Sequence, residues 1–283
     1  METKHGFTLV ELLIAMTFST VILIAAISVY LIQQRQYGNQ QLILEARQNL
    51  RCGLVVMEQE IRMVGYDPED SGLFGIVDVR RYDVEVASKL SIKGQPVLFY
   101  TYDKDENGGL DARARGRNRE HPKFRISDLH KDGHIRLTWD NGAGRLPIAE
   151  NIVAMGLAYA VDADGDGRLD TRNLGIAPIW AVDTDNDNLL DTDLDTNGDG
   201  IINTADDGNG DGTIDWSDGG KLDPQIPLKH IRAVRVWLLG ATSRPLKRRP
   251  DPRDLVVGDR IMPANSDGFR RLVLQSSIMC RNL

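Results

Sequence analysis

The 283 residues leave roughly 250 outside the first apolar segment, enough for one sizeable hydrophobic core or two small ones. The net charge of −7 is unevenly distributed, because residues 162–218 hold 16 Asp, no Glu and only two Arg. That segment alone carries −14, so the rest of the chain carries +7. The charge therefore excludes a uniformly acidic protein and indicates one acidic segment on a mildly basic body.

The first 32 residues contain the most informative pattern. From Leu12 to Ile32 there are 21 residues without a charge, and about 20 suffice for a helix to cross a bilayer. Glu11 directly precedes them, and a charge within such a segment costs at least ~2.5 kcal/mol, which indicates a functional partner. Residues 1–6 form a short polar leader and lack the pattern of a secretory signal with its cleavage site.

The stretch GFTLVELLIAM, which starts at Gly6, resembles the type III signal of type IV prepilins and type II secretion pseudopilins. The resemblance implies that a prepilin peptidase removes residues 1–6 and that the new Phe7 amine is methylated. Residues 7–34 would stay as membrane anchor and filament core, with Glu11 paired to the N-terminal amine of a neighbouring subunit. A buried carboxylate is costly alone and tolerable beside an ammonium. The alternative is an ordinary signal anchor with an incidental glutamate.

Apolar residues continue at helical spacing beyond the membrane segment. They recur at steps of three and four with polar residues between them, which predicts an amphipathic half of the helix over residues 35–65. Gly65 followed by Asp67-Pro68 predicts its end. The apolar stripe consists of Ile43, Ala46, Leu50, Leu54, Met57, Ile61 and Val64.

From residue 66 the pattern changes to that of strands. Four segments separated by Gly, Asp and Pro turns predict strands at residues 97–102, 135–139, 231–239 and 272–278. One helix followed by strands predicts an α+β fold. The resemblance to prepilins implies a pilin-like domain, in which a long N-terminal helix packs on an antiparallel β-sheet. Residues 66–161 would form a β-rich head and residues 219–283 its C-terminal strands.

Three further stretches resemble the W-type minor pilins of type IV pilus assembly. They are residues 50–66, residues 231–239 and the ending Arg281-Asn282-Leu283. The J-type pseudopilin of type II secretion is a close competitor on the same grounds.

Residues 162–218 repeat one spacing of oxygen-bearing side chains four times. It is the spacing of EF-hand loops, with side chains at positions 1, 3, 5, 9 and 12, a carbonyl at 7 and glycine at 6. An aliphatic residue at position 8 points inward and anchors each loop. This segment is predicted to be a calcium-binding insertion whose ligands, counting Arg168, Leu189, Ile201 and Thr213 by their carbonyls, are Asp162, Asp164, Asp166, Asp170, Asp183, Asp185, Asp187, Asp191, Asp195, Asn197, Asp199, Asn203, Asp206, Asp207, Asn209, Asp211, Asp215 and Asp218.

The four windows depart from a helix-flanked EF-hand. Asn188 stands where glycine is usual, and no window has glutamate at position 12. The last three windows begin 12 residues apart, which leaves no room for helices and resembles thrombospondin type 3 or dockerin-like repeats. Without bidentate glutamates we expect weak binding, with a Kd of ~10⁻⁴–10⁻³ M. The alternative is a solvated acidic linker, disordered by charge repulsion.

Cys52 and Cys280 are the two cysteines of the chain. An exported chain reaches an oxidising compartment, where such a pair is more often bridged than free. We therefore expect a disulfide between the first helix and the last strand, with two unrelated buried thiols as the alternative.

No catalytic triad, Cys/His pair or phosphate-binding glycine loop is visible in the sequence, so an enzyme is not expected. His130 and His134 flank a turn and are better explained as turn residues than as zinc ligands. The basic runs at 113–125 and 247–249 lack interleaved aromatic residues, so nucleic acid is not an expected partner.

The patterns together predict a minor pilin precursor. It would be a single-pass protein of the inner membrane with a periplasmic head, assembled with major and minor pilins and exposed at the tip of an extracellular filament. Calcium would stiffen that head for priming assembly, for capping or for adhesion to a surface ligand. The alternatives are a type II secretion pseudopilin and a membrane-anchored, calcium-dependent adhesin without a filament role.

Overall fold

A computed structural model describes most of the chain. The described residues are 8–86, 90–110, 120–141, 144–172, 177–246, 252–264 and 266–283. Helix α1 spans Leu9–Ile61, and by internal contacts the chain divides into the units Met1–Leu44 and Glu45–Leu283.

The first unit is dominated by the N-terminal part of α1. Every residue from Thr8 to Tyr37 is exposed, including the large apolar side chains. Among the described residues, α1 is the one helix long and apolar enough to cross a membrane.

The second unit begins with the amphipathic part of α1. The predicted stripe is buried from Ala46 to Val64, with Leu50, Met57 and Ile61 at most 1% exposed, whereas Ile43 is half-buried and Gly53 is buried without having been predicted. Regular helix ends at Ile61, and the chain then turns through residues 62–65. These side chains pack in one core cluster with residues from both main sheets.

The first main sheet has five antiparallel strands in the order β1-β4-β5-β6-β7. Their bounds are β1 Ile76–Asp78, β4 Leu98–Tyr100, β5 Lys123–Ser127, β6 Arg136–Asp140 and β7 Arg145–Glu150. A hairpin of β2 (Arg81–Val86) and β3 (Leu90–Pro96) lies between β1 and β4 in the chain.

The second main sheet has six strands in the order β13-β12-β11-β8-β14-β17, all antiparallel. Their bounds are β8 Ile152–Val161, β11 Ala181–Val182, β12 Leu189–Asp193, β13 Lys221–Pro227, β14 Ile231–Ala241 and β17 Arg271–Met279. Two small hairpins pair β9 (Thr171–Arg172) with β10 (Ala177–Pro178) and β15 (Leu255–Val257) with β16 (Arg260–Met262). The predicted α+β class and its four strands are confirmed.

Strands β8 and β14 are buried on both faces. Leu157 and Tyr159 of β8 belong to the core cluster that includes α1, whereas Ala158 and Ala160 belong to a second cluster. The second cluster is completed by side chains of the acidic segment, notably Trp180, Leu194 and Ile214. One face of the second main sheet therefore packs against α1, and the other face packs against apolar side chains of the acidic segment.

Candidate metal centres

The acidic segment 162–218 is an integral part of the second sheet. It supplies β11 and β12, and its residues Leu190, Leu194 and Ile214 are fully buried. A solvated, disordered linker is therefore the wrong description of this segment. Its backbone is held by sheet pairing and apolar packing, and its aspartates lie in the turns between these elements.

All four predicted loops adopt the same turn, which we call the Asp turn. In an Asp turn, the position 1 carboxylate accepts a hydrogen bond from the backbone N–H of position 6, and positions 4 and 6 have positive φ. The position 6 N–H lies 2.9–3.0 Å from the carboxylate in the loops at Asp162, Asp183, Asp195 and Asp207. Positive φ favours Gly and Asn, which occupy positions 4 and 6 of all four loops.

The first two loops are closed by the aspartate at position 9. Asp170 accepts from the N–H of Ala163 at 3.0 Å, and Asp191 accepts from that of Thr184 at 3.0 Å. This brings carboxylate oxygens of positions 1, 3 and 9 within 4.8 Å of one another, in the groups Asp162, Asp164, Asp170 and Asp183, Asp185, Asp191. Position 12 is Asn173 in the first loop, which lies outside the described residues, and the fully buried Leu194 in the second.

The last two loops are closed by the aspartate at position 12. Asp206 accepts from the N–H of Asn197 at 3.3 Å, and Asp218 accepts from that of Asn209 at 3.0 Å. Each closing residue is held by a short 3₁₀ helix, Thr204–Asp206 or Trp216–Asp218, with a reciprocal capping box. Positions 9 and 12 of these loops therefore belong to one rigid turn.

Positions 5 and 8 show two further features that the four loops share. Position 5 accepts from the N–H of position 7 at 2.8–2.9 Å in every loop, through the pairs Asp166–Arg168, Asp187–Leu189, Asp199–Ile201 and Asp211–Thr213. The position 8 residues Leu190 and Ile214 are fully buried, and Leu169 and Ile202 pack against the second core cluster.

Burial disfavours the ionised form of two of these aspartates. Asp183 is 2% exposed, and desolvation raises its pKa above the usual value despite N–H donors from Asn188 and Asn186. Desolvation likewise raises the pKa of Asp206. In Asp162 the desolvation is outweighed by N–H donors from Gly165 and Gly167, and the pKa is lowered. A bound cation would offset the cost of the buried charges.

Asn186 and Asn188 explain the departure from glycine in the second loop. The Asn186 side-chain oxygen accepts from the N–H of Arg81 at 2.8 Å, and that of Asn188 accepts from the N–H of Val79 at 3.2 Å. Asparagine tolerates the positive φ of 67° found at both positions and adds an acceptor that glycine lacks. The loop thereby clamps the connection between β1 and β2.

Asp193 is not part of any loop centre. Its carboxylate lies 2.8 Å from the guanidinium Nε of Arg172 and also accepts from the N–H of Trp180 at 3.3 Å. Arg172 further donates to the Asp195 carbonyl at 2.7 Å. This ion pair braces the start of the third loop.

Sequence reasoning missed three further Asp turns among the described residues. They begin at Asp67, Asp103 and Asp128, with the position 6 N–H donating to position 1 at 2.8–2.9 Å. Positions 4 and 6 again have positive φ, although Asp70, Glu106 and Lys131 occupy position 4. The signal was present as D-x-E-x-S-G, D-x-D-x-N-G and D-x-H-x-D-G, but outside the region of high charge density.

The turn at Asp103 has a third carboxylate from a distant part of the chain. Glu120 accepts from the N–H of Lys104 at 2.8 Å, which is the role that Asp170 and Asp191 play in their loops. Oxygens of Asp103, Asp105 and Glu120 come within 4.8 Å of one another, and Asp103 and Glu120 are at most 1% exposed. Several acidic groups in the head could therefore hold a metal ion.

The donor set of these centres fits a hard cation. Carboxylate, amide and carbonyl oxygens on tight turns are the ligands that calcium prefers, and thiol or imidazole donors are not part of the three groups.

Glu11 has a local partner at the start of α1. Its carboxylate accepts from the N–H and the hydroxyl of Thr8, both at 2.9 Å, and its own N–H lies 3.3 Å from the Thr8 hydroxyl. This is a capping box, readable in the sequence as T-x-x-E. The predicted processing residues Gly6 and Phe7 lie outside the described residues.

The expected disulfide between Cys52 and Cys280 is not formed. Ser276 donates to Glu58 at 2.5 Å and Asn282 donates to the Arg62 carbonyl at 3.1 Å, so Cys280 lies beside the last turns of α1. Cys52 lies six residues before Glu58, about 9 Å earlier along the helix axis, whereas a disulfide needs Cα atoms within roughly 7 Å. Cys52 is exposed, and burial raises the pKa of the Cys280 thiol to about 12.

No protein-family model matches this chain, and no curated protein is significantly similar to it. Among solved structures, a type IV-like pilin from Thermus thermophilus is similar at 13% identity over 84% of this chain and 97% of that one, with a TM-score of 0.40. The chain's own residues therefore carry the functional proposal.

Proposed function

We propose that this chain is a pilin precursor that is anchored in the membrane, processed between Gly6 and Phe7, and assembled into a filament as a minor subunit. The observation that carries the proposal is the uncharged run from Leu12 to Ile32 with Glu11 at its start. These side chains are exposed along α1, so they need a lipid or protein environment. The membrane would provide this environment before assembly, and the neighbouring subunits of the filament would provide it afterwards.

Mass spectrometry of the mature N-terminus is the direct test. A chain that starts at methylated Phe7 supports the proposal, and a Gly6→Ala variant should accumulate as the uncut precursor. A mature protein that keeps residues 1–6 would instead favour the membrane-anchored adhesin. Genomic neighbours from a pilus or a secretion operon would separate the minor pilin from the type II secretion pseudopilin.

Glu11→Gln tests the assembly role separately from the helix cap. Glutamine at the third helical position can still accept the Thr8 hydrogen bonds, but it cannot neutralise the amine of a neighbouring subunit. We expect normal processing and a strong loss of incorporation into filaments, measured by the amount of subunit in sheared fibres. Thr8→Val is the matched control, because it weakens the cap and keeps the charge. Wild-type incorporation of Glu11→Gln would contradict the role.

We further infer that calcium stabilises the head through the loops at Asp162, Asp183, Asp195 and Asp207, with the Asp103 centre as an additional site. Three carboxylates converge in each of the sites at Asp103, Asp162 and Asp183, which supports this inference. The raised pKa values of Asp183 and Asp206 support it as well. A filament tip exposed to millimolar calcium outside the cell could use sites of weak affinity. Calorimetry of the full chain in detergent micelles should detect calcium binding, and the absence of binding heat would rule out this part.

A further inference from the structure

The Asp turn at Asp128 has a cation, and not a carboxylate, at position 9. Its backbone has the same conformation as the other Asp turns. Asp128 accepts hydrogen bonds from the N–H groups of Asp132 at 3.0 Å and Gly133 at 2.9 Å. Position 5, Asp132, accepts from the N–H of His134 at 2.9 Å, as in the other loops. Position 9, which is Asp170 or Asp191 in the first two calcium loops, is here Arg136.

The guanidinium of Arg136 binds the groups that would otherwise face a metal ion. Its two Nη atoms donate to both carboxylate oxygens of Asp132 at 3.0 and 2.8 Å, and one of them also donates to the His134 carbonyl at 3.0 Å. These are the side chain of position 5 and the carbonyl of position 7, two of the oxygen ligands of an EF-hand loop. Arg136 is 7% exposed, whereas the side chain of Asp132 is 38% exposed, so the pair lies at the surface with its cation turned inward.

The same guanidinium also fixes the neighbouring strand. Its Nε donates to Glu150 at 2.9 Å, and residues 136 and 150 are direct partners across β6 and β7. The planar guanidinium can serve two carboxylates at once, which a spherical ammonium on a flexible stem does less well. The turn, β6 and β7 are thereby joined through one cation that belongs to the chain.

We propose that Arg136 is a built-in replacement for the metal ion in the Asp128 turn. The turn between β5 and β6 then keeps its structure at any calcium concentration. The proposal does not depend on whether the acidic segment binds calcium, because it concerns a turn that needs no ion. The lowered pKa of Asp132, caused mainly by the hydrogen bonds from Arg136, agrees with a permanently neutralised site.

Hydrogen exchange of the full chain in detergent micelles, with calcium and with chelator, tests the proposal. The amides of residues 132–134 in the wild type should exchange at the same rate in both conditions. In Arg136→Asp, which restores the carboxylate of a calcium loop, they should exchange at least about tenfold faster in chelator than in calcium. Arg145→Asp, an equal charge change on the exposed surface of β7, should leave them independent of calcium.

Two results would overturn the proposal. One is calcium-dependent exchange of the turn in the wild type, which can be read even if Arg136→Asp fails to fold. The other is a folded Arg136→Asp whose turn does not respond to calcium. Arg136→Lys serves as a second variant, because it keeps the charge and should stay independent of calcium while exchanging faster than the wild type.

Discussion

The Asp183 loop and the Asp128 turn have the same backbone conformation, but their surroundings shift the pKa of a loop carboxylate in opposite directions. Both hold the N–H of position 6 with the carboxylate of position 1 at 2.9 Å. In the first, burial raises the pKa of Asp183, whereas in the second the guanidinium of Arg136 lowers the pKa of Asp132. The comparison teaches that the spacing of oxygen ligands specifies the turn, while position 9 supplies a closing carboxylate in the first case and a cation of the chain itself in the second.

Calcium removal should separate the two regions most strongly. At ~2 mM free calcium and a Kd of ~10⁻⁴ M, each occupied site stabilises the folded chain by about 2 kcal/mol, so several sites together dominate the effect. We expect chelator to lower the Tm and to expose residues 162–218 to protease, while the Asp128 turn between β5 and β6 stays protected. Limited proteolysis followed by mass spectrometry measures this, with magnesium as the control ion. Equal sensitivity of both regions would contradict the comparison.

Matched substitutions at position 1 sharpen the same contrast. Asp183→Asn should lower the free energy of unfolding by about 2 kcal/mol in calcium and by little in chelator, because the buried charge stabilises the fold only when a cation neutralises it. Asp128→Asn should cost about 1.5–3 kcal/mol in both conditions, because it weakens charge-assisted hydrogen bonds that need no metal. Thermal unfolding of each variant with and without calcium gives both numbers. A calcium-dependent cost for Asp128→Asn would break the distinction.

The clamp from the second loop to β2 predicts a smaller effect. Asn186→Gly keeps the positive φ but removes the acceptor of the Arg81 N–H, which should cost about 1 kcal/mol. Faster hydrogen exchange at Arg81 is the local measurement. Gly210→Asn, the same position in the fourth loop, is a control that should leave Arg81 unchanged.

Acid should affect the two regions in opposite directions in calcium-free protein. The folded pKa values of Asp183 and Asp206 lie above their unfolded values, so their unfavourable contribution is absent below the unfolded pKa and complete above the folded pKa. The folded pKa of Asp132 lies below its unfolded value, so its contribution is present above the unfolded pKa and is lost as the pH falls through the folded one. Chemical shifts of these carboxyl groups, followed by NMR against pH, check both directions.

Much of the architecture was readable from local patterns. The 21 uncharged residues after Glu11 predicted the exposed apolar helix, and the stripe from Ala46 to Val64 predicted its buried continuation. The four loops of the acidic segment formed with their position 8 residues inward, because the hydrogen bonds that close them join residues at most nine positions apart. Such contacts depend on spacing alone.

Other features depended on contacts between distant elements. Glu120 reaches the Asp103 turn, and Asn186 reaches Arg81 across more than 100 residues, so neither pairing has a fixed spacing to read. The separation of Cys52 from Cys280 follows from where β17 meets α1. The sequence by itself determined the turns, the membrane-length helix and the strand pattern, since each is a short-range periodicity. Only the tertiary structure decided that Glu120 closes the Asp103 turn and that Asn186 reaches Arg81, because these contacts depend on which distant elements lie side by side.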